Sequence, residues 1–181
     1  SFLERDEAER LIREPVADVL WYDDLAVEKI LRVTAGQPYF IQYICHEIVN
    51  LARRDQKNFV TLRDVDRALQ TTVQETTGII RHGYMSLSRD EQLALAAMAR
   101  ITDDGRPFVS LEDVSETLGQ DDMTLTLLDL QELMPGLKAR DFILERGGDS
   151  AGRQYGFAMD LVRIWLEQND EYSRLLMQAP S

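Results

Sequence analysis

The sequence predicts a mainly α-helical protein of 181 residues, arranged as two domains at residues 1–80 and 85–181. Three observations support this fold class. Apolar residues recur at helical spacing through most of the chain, capping residues stand before these segments, and only one pair of short apolar runs flanks a glycine-rich loop. An apolar content of 44% is enough for a core. No apolar run reaches the roughly 18 residues of a membrane span, so we expect no membrane partner.

The first domain is predicted to be an all-helical bundle of four helices. They are expected at residues 6–13, 24–34, 38–54 and from 61 to at least 69. Pro15 stops the first helix, and Asp23 and Asp24 supply a cap and a negative first turn for the second. Gly36 ends the second helix and Pro38 opens the third. The third has a broad apolar stripe typical of a nearly buried helix, and a capping-box variant opens the fourth.

The second domain is predicted to follow the order helix, short strand, helix, helix, hairpin, helix. A helix capped at residue 88, an extended piece at 108–109 and a helix from 110 to 119 come first. Asp121 and Asp122 are expected to open the third helix, with Pro135 breaking it. Residues 142–144 and 155–157 then flank a glycine-rich loop, and the last helix starts near residue 159. This order is typical of a winged helix, with the domain boundary near residues 74–87.

Charge and cysteine content limit the possible partners and compartment. The net charge is −12, and the second half is the more acidic one. An acidic surface repels phosphate backbones, which counts against nucleic acid as the main partner but permits a local basic patch. Cys45 is the only cysteine and lies in an apolar run, so a disulfide scaffold is excluded and a cytoplasmic location is expected. No basic stretch followed by an apolar one comes after Ser1, so we expect no secretory signal, and we expect the chain to be a piece of a longer protein.

The candidate binding feature is the corner formed by Gly36, Pro38 and Tyr39. A glycine that ends one helix and a proline that opens the next fix the backbone there. The proline ring is rigid, flat and apolar, so it can cover a planar ligand at little cost in side-chain ordering. A purely structural role as a helix end and a first-turn residue is the alternative.

Other sites of chemistry are absent from the sequence. No G-x-x-x-x-G-K-[ST] loop is present to hold phosphates. His46 and His82 are too few and too far apart to form a metal site with Cys45. We therefore expect no catalytic residue and no metal site.

The sequence from residue 7 to 69 and the tail from 155 to 166 carry a family resemblance. The first stretch includes Thr-Ala-Gly-Gln-Pro-Tyr-Phe-Ile-Gln-Tyr-Ile-Cys at 34–45 and Phe-Val-Thr at 59–61, followed by Asp-Val-Asp-Arg-Ala-Leu at 64–69. Together they resemble the helical lid and winged helix of STAND-type ATPases. These are AAA+ relatives akin to the archaeal ATPases, in which a nucleotide-binding core precedes both domains.

The resemblance implies a role in a larger ATPase. Gly36 and Pro38, with Tyr39 adjacent, match the lid corner that covers the adenine of ATP or ADP, bound with magnesium by the intact parent. This fragment itself would hold no cofactor and would not hydrolyse ATP, because the phosphate loop and the magnesium-binding acidic strand are missing. Its implied partners are its own upstream nucleotide-binding core and proteins that contact the acidic winged helix. The expected function is regulatory signal transduction.

Two alternatives to that function remain open, a DNA-binding winged-helix regulator and a plain protein-interaction module. A DNA-reading third helix would carry Lys or Arg, yet none occurs from residue 107 to 137. The remaining route to phosphates is the wing, through Lys138, Arg140, Arg146 and Arg153. Solvated hairpin charges are the simpler interpretation of these four, so DNA binding is disfavoured and protein contact is the better role.

Overall fold

The computed structural model describes residues 2–123, 125–148 and 152–178, and the chain divides into two compact units. Unit 1 is Ser1–Thr77 and unit 2 is Gly78–Ser181. The fold is mainly helical with four short strands in the described part, so the predicted fold class is confirmed.

Unit 1 contains four helices and a small parallel sheet. Its elements are α1 (Arg5–Arg13), a 3₁₀ turn (Glu14–Val16), β1 (Trp21–Tyr22), α2 (Asp24–Thr34), α3 (Pro38–Arg54), β2 (Phe59–Val60) and the first part of α4 (Leu62–Met85). The four helices agree with the sequence prediction. The prediction of an all-helical bundle was wrong, because the two-residue strands lie in segments too short to show strand periodicity.

The two strands of unit 1 pair in parallel, Trp21 with Phe59 and Tyr22 with Val60. Successive side chains of a strand point to opposite faces. Tyr22 and Val60 are therefore buried in the core, while Trp21 and Phe59 lie on the outer face and stack on each other. The pair brings the end of α3 next to the start of α2.

The core of unit 1 is built around α3. Ile41, Ile44 and Ile48 are fully buried, at the spacing of one helical face, and α1 and α2 both pack against this helix. Tyr39 is half exposed and Tyr43 is partly exposed. α3 is thus buried on one face only. Its apolar sequence had indicated a helix that is buried on nearly all sides.

Helix α4 is longer than the sequence indicated. It continues from Leu62 to Met85 through Gly78 and Gly83, in the segment where few periodic signals were found. Ile80 and Tyr84 are buried, and their packing offsets the low helix propensity of the two glycines. The division between the two units falls inside this helix.

Unit 2 has the element order of a winged helix. After the end of α4 it contains α5 (Arg89–Ile101), α6 (Leu111–Gln120), α7 (Leu127–Ala139), β3 (Ile143–Arg146), β4 (Gln154–Phe157), α8 (Asp160–Gln168) and α9 (Glu171–Met177). β3 and β4 form the predicted antiparallel hairpin. A backbone bridge between Val109 and Tyr155 adds the predicted extended piece before α6. Part of the predicted hairpin loop, residues 149–151, lies outside the described residues.

The third helix of unit 2 differs from the prediction at both ends. Asp121 and Asp122 form a turn, and α7 begins only at Leu127, where Thr126 and Asp129 make a capping box. The acidic pair was mistaken for a helix start because it has the same composition as a cap. Pro135 lies inside α7 rather than breaking it. α9 was not predicted, since its seven residues are too few for a clear pattern.

Candidate functional site

The corner between α2 and α3 is a left-handed turn of two residues. Ala35 has φ 50° and Gly36 has φ 76°. The backbone N–H of Gln37 donates to the carbonyl of Thr34 at 3.0 Å, and α3 starts at Pro38. Gly36 therefore lies two residues beyond Thr34, the last residue of α2, and Ala35 is the first residue to leave helical geometry. The sequence had indicated Gly36 alone as the helix end.

Position 36 requires a glycine for two reasons, its backbone conformation and the close approach of Leu3. Its carbonyl accepts a hydrogen bond from the backbone N–H of Leu3 at 2.9 Å. A Cβ atom built on Gly36 would lie 2.7 Å from the carbonyl oxygen of Leu3, which is closer than real Cβ contacts. The chain before α1 is thus hydrogen-bonded to the back of the corner, a contact that the sequence did not reveal.

Pro38 occupies the first position of α3, where its missing N–H costs no hydrogen bond. The preceding residue, Gln37, provides no side-chain cap. The first N–H groups of a helix have no partner inside the helix, and the dipole makes this end attractive to negative groups. The corner therefore combines a rigid ring with a helix end that is electrostatically suited to an anion.

Tyr39 supplies the exposed aromatic surface of the corner. Its side chain is 50% exposed, and its ring lies edge-on to Phe40 and 6.2 Å from the ring of Tyr43. Desolvation and the carboxylates of Glu75 and Glu47 raise the pKa of Tyr43. Gly36, Pro38 and Tyr39 thus stand together as a backbone turn, a fixed ring and an accessible aromatic side chain.

The four basic residues proposed for phosphate contact all lie in unit 2, on or next to α7 and the hairpin. Lys138 pairs with Glu145 at 3.0 Å, and Arg153 approaches the same carboxylate at 3.5 Å. The hydrogen bond from Lys138 lowers the pKa of Glu145. These two cations are therefore partly neutralised by one strand residue of the wing.

The other two basic residues also have partners within unit 2. Arg140 donates to the hydroxyl of Ser86 at 2.6 Å, and Arg146 donates to Gln154 at 2.9 Å. The guanidinium of Arg146 also lies over the ring of Phe108, 4.0 Å from its centroid. All four residues thus have partners within unit 2, and their role in phosphate binding stays a prediction.

The helix in the DNA-reading position of a winged helix is α7, and its first turns carry no cation. Leu128 is 64% exposed there, and Gln131 and Glu132 are exposed beside it. Between α6, α7 and β4 lies an open cleft of about 440 Å³, whose lining includes both Glu112 and Arg153. The described part of the first turns of α7 therefore presents acidic and apolar side chains and no cation.

The described residues offer no alternative site of metal chemistry. They contain no group of three or more His, Cys, Asp or Glu side chains close enough to hold a metal ion. Burial raises the pKa of the Cys45 thiol to about 11, so this cysteine is not poised as a nucleophile. No described helix combines the length and the apolar character that a membrane span would need.

The mainly helical fold of this chain also occurs in part of a solved ATPase structure. Among solved structures, the chain is similar to the Walker-type ATPase PABY2304 of Pyrococcus abyssi, with a TM-score of 0.59 and 19% identity. That alignment covers 90% of this chain and 40% of the other, so the chain spans well under half of that ATPase. At this identity the likeness establishes the fold alone.

Two further structures are similar more loosely. Cdc6p from Pyrobaculum aerophilum has a TM-score of 0.44 and 11% identity, covering 93% of this chain and 48% of that one. Drosophila ORC bound to DNA has a TM-score of 0.38 and 16% identity, covering 98% and 45%. No known family profile matches the chain, and no curated protein does.

Proposed function

We propose that this chain is the nucleotide-sensing lid and winged-helix part of a larger STAND-type ATPase, and that it is not catalytic by itself. The observation that carries the proposal is the corner at Gly36, Pro38 and Tyr39, where a strained turn presents a fixed ring at an uncapped helix end. The fold similarity to a Walker-type ATPase, of which this chain matches 40%, supports the same interpretation.

The corner can form one wall of an adenine site. The Pro38 ring would cover one face of the base without ordering a flexible side chain, and Tyr39 would add a half-exposed aromatic surface. Phosphates and magnesium would be held by a separate nucleotide-binding core of the parent protein, since this sequence has no phosphate loop. Hydrolysis would be that core's task.

A change of bound nucleotide would be transmitted to partners by a movement of α3. This helix starts at the corner and carries three buried isoleucines, so it can move only as part of the packed bundle. Exchange of ADP for ATP would bias the bundle between two docked positions on the core. The acidic winged helix would then be presented to, or withheld from, a protein partner.

The test is nucleotide retention by the longer protein that contains this chain. Pro38→Ala and Tyr39→Ala should each reduce the bound ATP and ADP recovered after purification by about tenfold, with little change in the unfolding midpoint. Pro15→Ala is the matched control, because Pro15 also lies in the first turn of a helical segment but away from the corner. If Pro38→Ala lost nucleotide and stability to the same degree, the proline would have only a packing role.

A DNA-binding function is tested on the chain itself. With an acidic α7 and wing cations already paired with neighbours, we expect no shift of a duplex oligonucleotide at moderate salt. Clear salt-dependent binding that is lost in Arg146→Ala or Arg153→Ala would favour the DNA-binding regulator instead.

A further inference from the structure

The outer face of the small parallel sheet in unit 1 carries an exposed pair of aromatic rings. Trp21 and Phe59 stack with ring centroids 4.7 Å apart and an interplanar angle of 20°. Their exposed fractions are 59% and 38%, although their strand neighbours Tyr22 and Val60 are buried. Because the two rings already hold each other in place, a partner that covers them has little side-chain ordering to impose, as is typical of interaction hot spots.

Asp23 lies on the same face of the sheet as Trp21. The backbone N–H of Asp23 donates to the carbonyl of Val60 at 3.0 Å, and that of Trp21 donates to the carbonyl of Asn58 at 2.9 Å. The backbone at Asp23 is still extended, with φ −61° and ψ 146°. Side chains two residues apart on a strand point to the same face, so the carboxylate of Asp23 stands beside the indole of Trp21.

The carboxylate of Asp23 has no partner among the described residues. Asp23 is the N-cap of α2, yet its side chain makes no cap hydrogen bond and pairs with no described cation. The next residue differs, because Asp24 pairs with Arg13 at 2.7 Å. An unpaired carboxylate beside exposed rings is available to a cation from outside the chain. We call Trp21, Phe59 and Asp23 the aromatic–acidic face.

The surroundings of this face limit what can bind there. Trp21 and Asp23 direct their backbone groups toward β2, so those of Tyr22 point to the other edge of β1, where Arg13 donates to the Tyr22 carbonyl at 2.8 Å. A ligand therefore meets the face of the sheet and not an open strand edge. From residue 14 to 28 the chain contains five carboxylates and no Lys or Arg, so phosphate groups are repelled.

The aromatic–acidic face is separate from the nucleotide corner. β1 comes just before α2, and the corner comes just after it. The 11 residues of α2 span about 16 Å at 1.5 Å per residue. A nucleotide at Pro38 would therefore leave Trp21 exposed, and a function of this face does not depend on the nucleotide role of the corner.

We propose that the aromatic–acidic face binds an arginine side chain of a partner protein. Phe59 covers one face of the Trp21 indole, and the guanidinium stacks on the other. Its N–H groups donate to the carboxylate of Asp23 in a charge-assisted pair. A guanidinium suits this arrangement because it is planar and weakly hydrated, whereas the ammonium group of lysine has no plane to stack and holds its water more strongly.

Tryptophan fluorescence tests the contact with a defined probe. The probe is a short capped Gly–Ser peptide with arginines at intervals, and its counterpart has lysines at the same positions. Both peptides have the same general attraction to the acidic chain. Trp165 is 2% exposed, so a change of emission reports Trp21. The arginine peptide should change the emission with a Kd about fivefold lower than that of the lysine peptide.

Asp23→Asn removes the charge but keeps a good N-cap residue, so the unfolding midpoint should hardly change. The Kd of the arginine peptide should rise about tenfold, and the preference over the lysine peptide should shrink. Asp90→Asn is the matched control, since this exposed carboxylate belongs to unit 2 and also has no partner among the described residues. It should leave the Kd of both peptides nearly unchanged.

Several results would overturn the proposal. Equal binding of the two peptides, or equal effects of Asp23→Asn and Asp90→Asn, would reduce the contact to general charge attraction. An emission that the arginine peptide does not change up to millimolar concentration would exclude the contact. Quenching by single-stranded oligo-dT instead of the peptide would assign the face to nucleic acid. A concentration-dependent emission of the chain alone, with a rise in molar mass, would assign it to a second copy.

Discussion

The carbonyl oxygen of Gly36 accepts a hydrogen bond from the backbone N–H of Leu3, and no room remains between the two residues for a side chain at position 36. The contact ties the segment before α1 to the turn that positions Pro38. Displacement of the segment at Leu3 would disturb the candidate nucleotide corner, because the two backbones share this hydrogen bond.

Gly36→Ala should destabilise the chain by about 1–3 kcal/mol in urea unfolding, because alanine at φ 76° is strained and its Cβ would meet Leu3. Gly78→Ala is the matched control. Gly78 lies inside α4, and a methyl group added there would meet no atom within 4 Å, so alanine should stabilise by about 0.5–1 kcal/mol. Similar effects at both positions would contradict the role assigned to the Leu3 contact.

Acid should weaken unit 2 partly through the cap of α6. Hydrogen bonds from Ser110, both hydroxyl and backbone N–H, lower the pKa of Asp113 below its usual value. A carboxyl with a depressed pKa in the folded state stabilises the fold above its unfolded pKa of about 3.9. That contribution is lost as the pH falls from there through the lower folded value.

Asp113→Asn should therefore reduce stability at pH 6 and reduce the loss of stability between pH 5 and pH 2. Urea unfolding at several pH values measures both quantities. Glu112→Gln is the control, since Glu112 is an exposed neighbour without an ion pair among the described residues, and it should leave the pH dependence unchanged. An unchanged slope in Asp113→Asn would exclude the cap as its source.

Arg163→Met should reduce stability by about 1–3 kcal/mol, because the mostly buried carboxylate of Asp160 loses its charged hydrogen-bond partner. Arg163 is 7% exposed and contacts Asp160 at 2.5 Å, Glu167 at 3.2 Å and Asp104 at 3.7 Å. Arg153→Met removes an exposed arginine from the wing and should change stability by no more than about 1 kcal/mol. Equal, small effects on the unfolding midpoint would show that the Arg163 cluster is not stabilising.

The helices and the hairpin could be predicted where the signal is local. Ser88 and Ser110 cap α5 and α6 as their sequences indicate, since a capping box needs only residues three apart. The same rule misplaced the start of α7, because Asp121 and Asp122 resemble a cap while Thr126 makes the actual one. Composition alone does not distinguish a turn from a helix start.

The candidate corner was predicted in its residues but not in its geometry. Gly36, Pro38 and Tyr39 are adjacent in the chain, so their proximity needed no structure. The contact of this corner with Leu3 could be found only from the structure, because Leu3 lies more than 30 residues away in sequence. For the same reason the stacking of Trp21 on Phe59 was not foreseen, since neither two-residue strand has a periodicity of its own.

By itself the sequence determined the helical class, most helix boundaries, the order of elements in unit 2 and the position of the proline corner. Caps, periodicity and turn residues act over a few neighbouring residues, so these features can be predicted locally. Only the tertiary structure decided which distant segments meet, as Leu3 does with Gly36 and β1 with β2. It also decided that α4 continues past Gly78 and Gly83, because buried side chains stabilise the helix there. Such contacts depend on long-range burial and close approach of backbones, and no local pattern encodes them.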